Sequence, residues 1–218
     1  TLQALGDLDL REARYGEARR NYEAALTAFR AIPARLGEAN TLQALGDLDL
    51  REARYGEARR NYEAALTAFR AIPARLGEAN TLQALGDLDR MEDRYGEARR
   101  NYEAALTAFR AIPDRLGEAN TLQALGDLDR MEDRYGEARR NYEAALTAFR
   151  AIPDSVGQLN TLRGLATLEQ AVDDLPAAQA WYGQCLTLAA SIPAFRDHPV
   201  VQGWRLEYRD WFGAEPPA

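Results

Sequence analysis

The fifteen residues YGEARRNYEAALTAF begin at Tyr15 and begin again at Tyr55, Tyr95 and Tyr135, a fixed period of 40 residues. Residues 1–40 and 41–80 are identical. Residues 81–120 depart from them at Arg90, Met91, Asp93 and Asp114, and residues 121–160 depart further only at Ser155, Val156, Gln158 and Leu159. A fifth, degenerate copy opens at TLRGLATLEQ and spans 161–196. A chain written this way does not gather around one central core. Each unit buries its apolar surface against the next copy, so period comes before secondary structure in reading the fold.

Within a unit the apolar residues fall on two helical stripes. Leu36, Ala39, Leu42, Leu45 and Leu48 recur every third residue in a first helix running from about Leu36 to Ala53. Tyr55, Ala58, Tyr62, Ala65, Leu66, Phe69 and Ile72 recur at three and four in a second helix extending to about Ala71. Pro73 stops the second helix, because proline donates no hydrogen bond and clashes with the preceding turn. The same proline recurs as Pro33, Pro113, Pro153 and Pro193. The short connections make each pair antiparallel. The expected architecture is all-α: a right-handed superhelical solenoid of antiparallel helix pairs, with repeats at 1–40, 41–80, 81–120, 121–160 and 161–196. Gly46 and Ala58 mark close helix approach, with Tyr62 as the large knob beside them.

These residues resemble the tetratricopeptide repeat. The family pattern of Leu-Gly in the first helix, Tyr-x-Glu-Ala opening the second, an aromatic, and then Ala-Leu is matched by Leu45-Gly46, Tyr55-Gly56-Glu57-Ala58, Tyr62 and Ala65-Leu66. In the fifth copy it softens to Leu165-Ala166, Leu175-Pro176-Ala177-Ala178, Tyr182 and Cys185-Leu186. The 40-residue spacing and the GEANTL lead-in are similar to the longer-helix variant of kinesin light chains and bacterial signal-transduction ATPases. Two departures stand out. Asp49 takes the place of a usual aromatic, which predicts a solvent-facing or Arg-paired aspartate rather than a buried one. Ala53 or Asp93 takes the place of a glycine that often precedes the second helix.

The ends are read separately. In the segment 197–212, Val201, Trp204, Tyr208 and Trp211 recur at three and four, which predicts a capping helix over the last hairpin, followed by a tail at 213–218. Pro199 suits the first turn of that helix. The chain begins at Thr1 without an initiator Met or a secretory leader, which reads as part of a longer polypeptide. The first helix then lacks a preceding copy, so its apolar face is expected to be exposed.

Composition excludes several functions. All 27 basic residues are arginine, against 34 acids, for a net charge of −7. That balance gives no basic footprint for a phosphate backbone, so no nucleic-acid partner is expected. No apolar run approaches the roughly 20 residues that span a bilayer, so no membrane partner is expected either. Cys185 is the only cysteine, which fits a reducing, cytoplasmic setting. Cys185 occupies a small-residue slot, and His198 stands at a helix entry. With Ser155 and Ser191 as the only serines, no nucleophile–base pattern forms, and the chain reads as non-enzymatic with no cofactor. Asp47 and Asp49, two residues apart, point about 200° from each other on a helix, which argues against a metal site. Asp47 and Arg51, four apart, can pair on the surface.

The resemblance implies a site. In the family the first helices line a concave groove that takes extended peptides or partner helices. The matching positions are Asn40, Gln43, Asp47, Leu50 and Arg51 in the second repeat, and Asn80, Gln83, Asp87, Arg90 and Met91 in the third. The fourth offers Asn120, Gln123, Asp127, Arg130 and Met131, and the fifth Asn160, Arg163, Thr167 and Gln170. Amides that donate and accept can pair with an extended backbone. An Asp column favours a protein or peptide partner bearing Arg, Lys or an amino terminus. The Lys/Asn carboxylate clamp of chaperone-binding members is absent, since the chain has no lysine. The expected role is a protein-interaction module, the sensor or recruiting arm of a larger bacterial signalling protein. The alternatives are a rigid spacer and a homo-oligomer stacking through its repeat ends.

Overall fold

The computed structural model describes residues 1–196 and 198–217. Asp197 and Ala218, at the outer limits of the expected cap and tail, lie outside the described residues. Among the described residues the chain is all helical, with no strand. The first and second helices alternate in order: α1 (Leu2–Arg11), α2 (Tyr15–Arg30), α3 (Arg35–Arg51), α4 (Tyr55–Ala71), α5 (Arg75–Met91) and α6 (Tyr95–Ala111). They are followed by α7 (Arg115–Met131), α8 (Tyr135–Ala151), α9 (Ser155–Ala171), α10 (Leu175–Ser191) and α11 (Pro199–Phe212). Helices α1–α6 belong to one compact unit, Thr1–Asp114, and α7–α11 to a second, Arg115–Ala218.

The turn inside each hairpin explains how three residues reverse the chain. In the second repeat the helix closes at Glu52, Ala53 enters the left-handed region at φ 56°, and the Arg54 amide reaches back to the Asp49 carbonyl at 2.8 Å. That is a Schellman closure, which satisfies carbonyls the helix end would leave orphaned. Ala13, Asp93, Asp133 and Asp173 hold the same conformation in the other copies. A Cβ is disfavoured at positive φ, so Ala53→Gly is expected to stabilise the protein by about 0.5–1 kcal/mol. A rise in the urea midpoint at unchanged m-value would show it.

In the first unit, the Cα traces of α1 and α3, and of α3 and α5, approach within 8 Å, whereas those of α2, α4 and α6 do not approach one another that closely. The first helices therefore form the tight inner curve of this unit. Each second helix wedges between its own partner and the next first helix. Ala18 and Tyr22 pack with Leu45 and Leu48; one copy on, Ala58 and Tyr62 pack with Leu85 and Leu88. A second layer joins Ala39 and Leu42 to Ala65 and Phe69, and then Ala79 and Leu82 to Ala105 and Phe109. The glycines permit this. A Cβ on Gly46 would lie 2.5 Å from the Tyr62 ring, and one on Gly77 would lie 2.3 Å from Phe69. Larger residues would push the helices apart.

In the second unit the same wedge, Tyr142 and Leu146 against Leu162 and Leu165, merges with a larger apolar cluster under α11. Val201 and Tyr208 are buried there, and Trp204 and Trp211 are partly buried. The Tyr182 ring meets Trp211 edge-on at 5.3 Å and Tyr208 at 5.8 Å. His198 opens α11 by accepting the Val200 amide on Nδ1 at 3.2 Å, with Pro199 at the first helical position.

One expectation is overturned. Asp49 is paired with arginine, as the sequence suggests, but it is not at the surface: it is fully buried, as are Asp89 and Asp129. A preceding copy stacks over Asp49 and brings an arginine with it. Arg19 of α2 reaches Asp49 at 2.7 Å and Glu52 at 2.6 Å. Arg54 from the turn closes on the same carboxylate, and Asn61 Nδ2 donates to it at 2.7 Å. Arg59 repeats the bridge to Asp89 at 2.7 Å and Glu92 at 2.8 Å. An aromatic at this place would fill the gap by packing; here an ionic cluster fills it instead.

Candidate partner-binding surface

The inner face of α1, α3 and α5 carries a column of half-buried aspartates, each held by the tyrosine beneath it. The Tyr22 hydroxyl donates to Asp7 at 2.8 Å, Tyr62 to Asp47 at 2.7 Å and Tyr102 to Asp87 at 2.7 Å. In the second unit Tyr142 donates to Asp127 at 2.6 Å. The sequence places Tyr and Asp fifteen residues apart, and the antiparallel hairpin closes that distance. Periodicity alone reads the tyrosine as a knob and gives no sign that its hydroxyl fixes the aspartate.

Electrostatics follows from this placement. Burial pushes the Asp47 carboxyl up from its ordinary value, Tyr62 and Arg51 pull it back, and Asp7 and Asp87 push it up again. Arg51 acts on Asp47 only at a distance and does not form the surface pair expected from the spacing. A carboxyl raised in the folded state destabilises it as pH climbs from the unfolded value through the shifted one. Asp47→Asn keeps an acceptor for Tyr62 and removes that penalty. The variant is expected to be more stable than the parent at pH 7, with the advantage shrinking toward pH 4. Urea titrations across that range measure it.

The remaining expected positions divide by partner. Asn40 and Asn80 are exposed and, with Gln3, Gln43, Leu36 and Leu76, border a cavity of about 550 Å³ in the first unit. Gln43 accepts the Thr81 hydroxyl at 3.2 Å, and Gln123 accepts Thr161 at 3.1 Å. Arg90 lies beside the column, 3.4 Å from the Tyr102 hydroxyl and 3.9 Å from Asp87, where the second repeat has Leu50. Leu50 packs instead against the apolar layer of Tyr62 and Leu85. Met91 and Met131 are exposed, as are Asn120 and Asn160, while Gln83 and Arg130 are partly covered.

At the fifth copy the surface changes hands. Thr167 stands where an aspartate is expected, and Tyr182 donates to Glu207 of α11 at 2.5 Å. The same glutamate holds Arg163 at 3.1 Å, with Trp204 under its guanidinium at 4.9 Å. The cap thus supplies the missing acid and engages Arg163. The interrupted Asp column is the sequence signal for this replacement, but it does not point to residue 207.

Other reactive groups are accounted for. Cys185 is buried with its thiol pushed up to about 12 by desolvation, 3.6 Å from the Leu159 carbonyl. A thiol so raised is a poor nucleophile. Among the described residues no three His, Cys, Asp or Glu side chains are grouped to hold a metal ion, and no helix is long and apolar enough to cross a membrane.

The family model for the tetratricopeptide repeat matches residues 1–71, 48–111, 77–151 and 119–191. The chain belongs to the tetratricopeptide-repeat family. No curated protein sequence matches it. Among solved structures, this tetratricopeptide-repeat chain is similar to BtubC (BKLC) from P. vanneervenii, with a TM-score of 0.80 and 20% identity over 91% of this chain and 82% of that one. The apo form of RapI gives a TM-score of 0.86 at 14% identity, covering 97% of this chain and 76% of that one. A Rap protein complexed with Competence and Sporulation Factor gives 0.82 at 13% identity, covering 97% of this chain and 58% of that one. At these identities the likeness is one of fold.

Proposed function

We propose that this chain is a protein-interaction module whose first helices bind an extended polypeptide segment carrying Arg, Lys or an amino terminus. The observation that supports it is the column Asp7, Asp47 and Asp87. Tyrosines fix these carboxylates in place, and burial raises Asp47, with repulsion from Asp7 and Asp87 adding to it. A cation laid along the column relieves that repulsion, so complementarity supplies selectivity. Exposed Asn40 and Asn80 beside it supply amides for the segment's backbone. The neighbouring Rap structure was solved with Competence and Sporulation Factor, which fits the same reading. The module would then serve as the sensor or recruiting arm of a larger bacterial signalling protein.

The test is a fluorescence-anisotropy screen of extended peptides of graded charge. Basic peptides are expected to bind, with affinity falling as salt rises. The double variant Asp47→Asn with Asp87→Asn, which keeps both tyrosine bonds, is expected to weaken them at least about tenfold. Unchanged affinity in that variant would remove the reading. A second reading, self-association, is favoured by α1: Leu2, Leu5 and Leu8 are 40–51% exposed, while the matching Leu42, Leu45 and Leu48 are buried. A monomer mass that stays constant over a hundredfold dilution would exclude it.

A further inference from the structure

In the second unit a groove of about 760 Å³ runs between α8, α9 and α10. Its counterpart in the first unit, between α4, α5 and α6, encloses about 590 Å³ and is lined by Arg70, Arg75, Arg100, Glu78 and Glu103. There Arg70 pairs with Glu78 at 2.7 Å and Arg100 with Glu97 at 2.8 Å, while Glu103 lies on the wall. In the later copy these charges have gone: Gln158 stands in the place of Glu78, Ala180 in that of Arg100 and Gly183 in that of Glu103. Arg150, the counterpart of Arg70, remains. Among the described residues it is the one charged residue on the groove, and none of their carboxylates pairs with it. Its guanidinium has only Gln184 Oε1 at 3.4 Å, while Gln158 has turned to the Phe149 carbonyl, also at 3.4 Å. Leu162, Leu188, Pro176 and Pro217 give the walls an apolar surface.

We infer that this groove binds an amphiphilic monocarboxylate, a carboxylate head on an aliphatic or aromatic body. Among the ion-pair partners in the first unit, Arg30 and Arg70 are both held by the glutamate eight residues on, at 2.9 and 2.7 Å. The fourth copy replaces that glutamate and leaves the guanidinium as a two-pronged donor for an incoming carboxylate. An apolar-walled groove of this size with one oriented charge and a few amides has the make-up of a small-molecule site. The groove carries a charge opposite in sign to the aspartate column of the first unit, so it selects a different class of ligand.

The experiment is equilibrium dialysis of decanoate, below its micelle threshold, against the full chain. Saturable binding at one site is expected, with 1-decanol at least about tenfold weaker. Arg150→Gln is expected to lose at least about tenfold, and Gln158→Glu to lose as much, because it rebuilds the ion pair of the earlier copies. Gln158→Glu restores a pairing that this fold already contains, so loss of folding does not confuse the result; circular dichroism checks both variants. Arg70→Gln, in the first unit, is expected to leave binding unchanged. Absence of saturable binding, equal affinity for decanol, or full affinity in both Arg150→Gln and Gln158→Glu would overturn the assignment.

Discussion

Tyr62→Ala is expected to lower the stability of the protein by about 3–5 kcal/mol, the range for removing a large aromatic from a packed core. Tyr62 has no exposed surface; its ring lies against Gly46, where no side chain can swing in to fill the space. It also belongs to two contacts at once, its own hairpin and the layer with Leu85 and Leu88 of the next copy. The loss should therefore fall on the coupling between copies and broaden the urea transition as well as shift it, because stability in an array is a sum of unit and interface contributions. Tyr62→Phe isolates the hydroxyl. It keeps the ring and removes only the bond to Asp47, so about 1 kcal/mol is expected. A loss in Tyr62→Phe equal to that in Tyr62→Ala would assign the role to the hydrogen bond instead of the packing.

Asp49→Ala is expected to come next, at about 3 kcal/mol, near the lower end for breaking a buried ion pair. The substitution leaves the Arg19 and Arg54 guanidiniums facing each other where a fully buried carboxylate held them. Glu52 softens the loss, since it accepts Arg19 at 2.6 Å and Arg54 at 3.0 Å. Asp9 provides the internal comparison. In the first copy it has Arg14 and Asn21 as partners but no arginine from a preceding second helix. Asp9→Ala strands one guanidinium instead of two, so it should lose less than half as much. Parallel urea unfolding of the two variants measures the difference, and equal losses would show that the bridge from Arg19 adds nothing.

The helix pairs are legible in the sequence because their cause is local and repeated: apolar residues at three and four, a proline after each second helix, and glycine opposite tyrosine. Asp49 was misjudged because its surroundings are not local. The arginine that satisfies it lies 30 residues earlier in the preceding copy. A polar residue in an aromatic's slot suggests exposure unless the bridge across copies is seen. The expected inner-face residues lie on the first helices, but their partners had to come from the fold. Tyr62 fixes Asp47 across the hairpin, and α11 takes Arg163 through Glu207. The groove around Arg150 is not read from the sequence: Gln158, Ala180 and Gly183 are scattered changes in the later copies, and only the placement of α8, α9 and α10 brings them to one surface.

The bridge from Arg19 to Asp49 and Glu52 is chemically the same as that from Arg59 to Asp89 and Glu92. Within the first unit the trailing side of one copy is thus complementary to the leading side of the next, with no address that tells these neighbours apart. Duplication or deletion in the coding DNA could lengthen or shorten the molecule in whole 40-residue steps, each new junction arriving ready-made. The last hairpin is exempt: with Glu169, Thr167 and the acid borrowed from α11, it is the one member that cannot be shuffled inward without a remade surface.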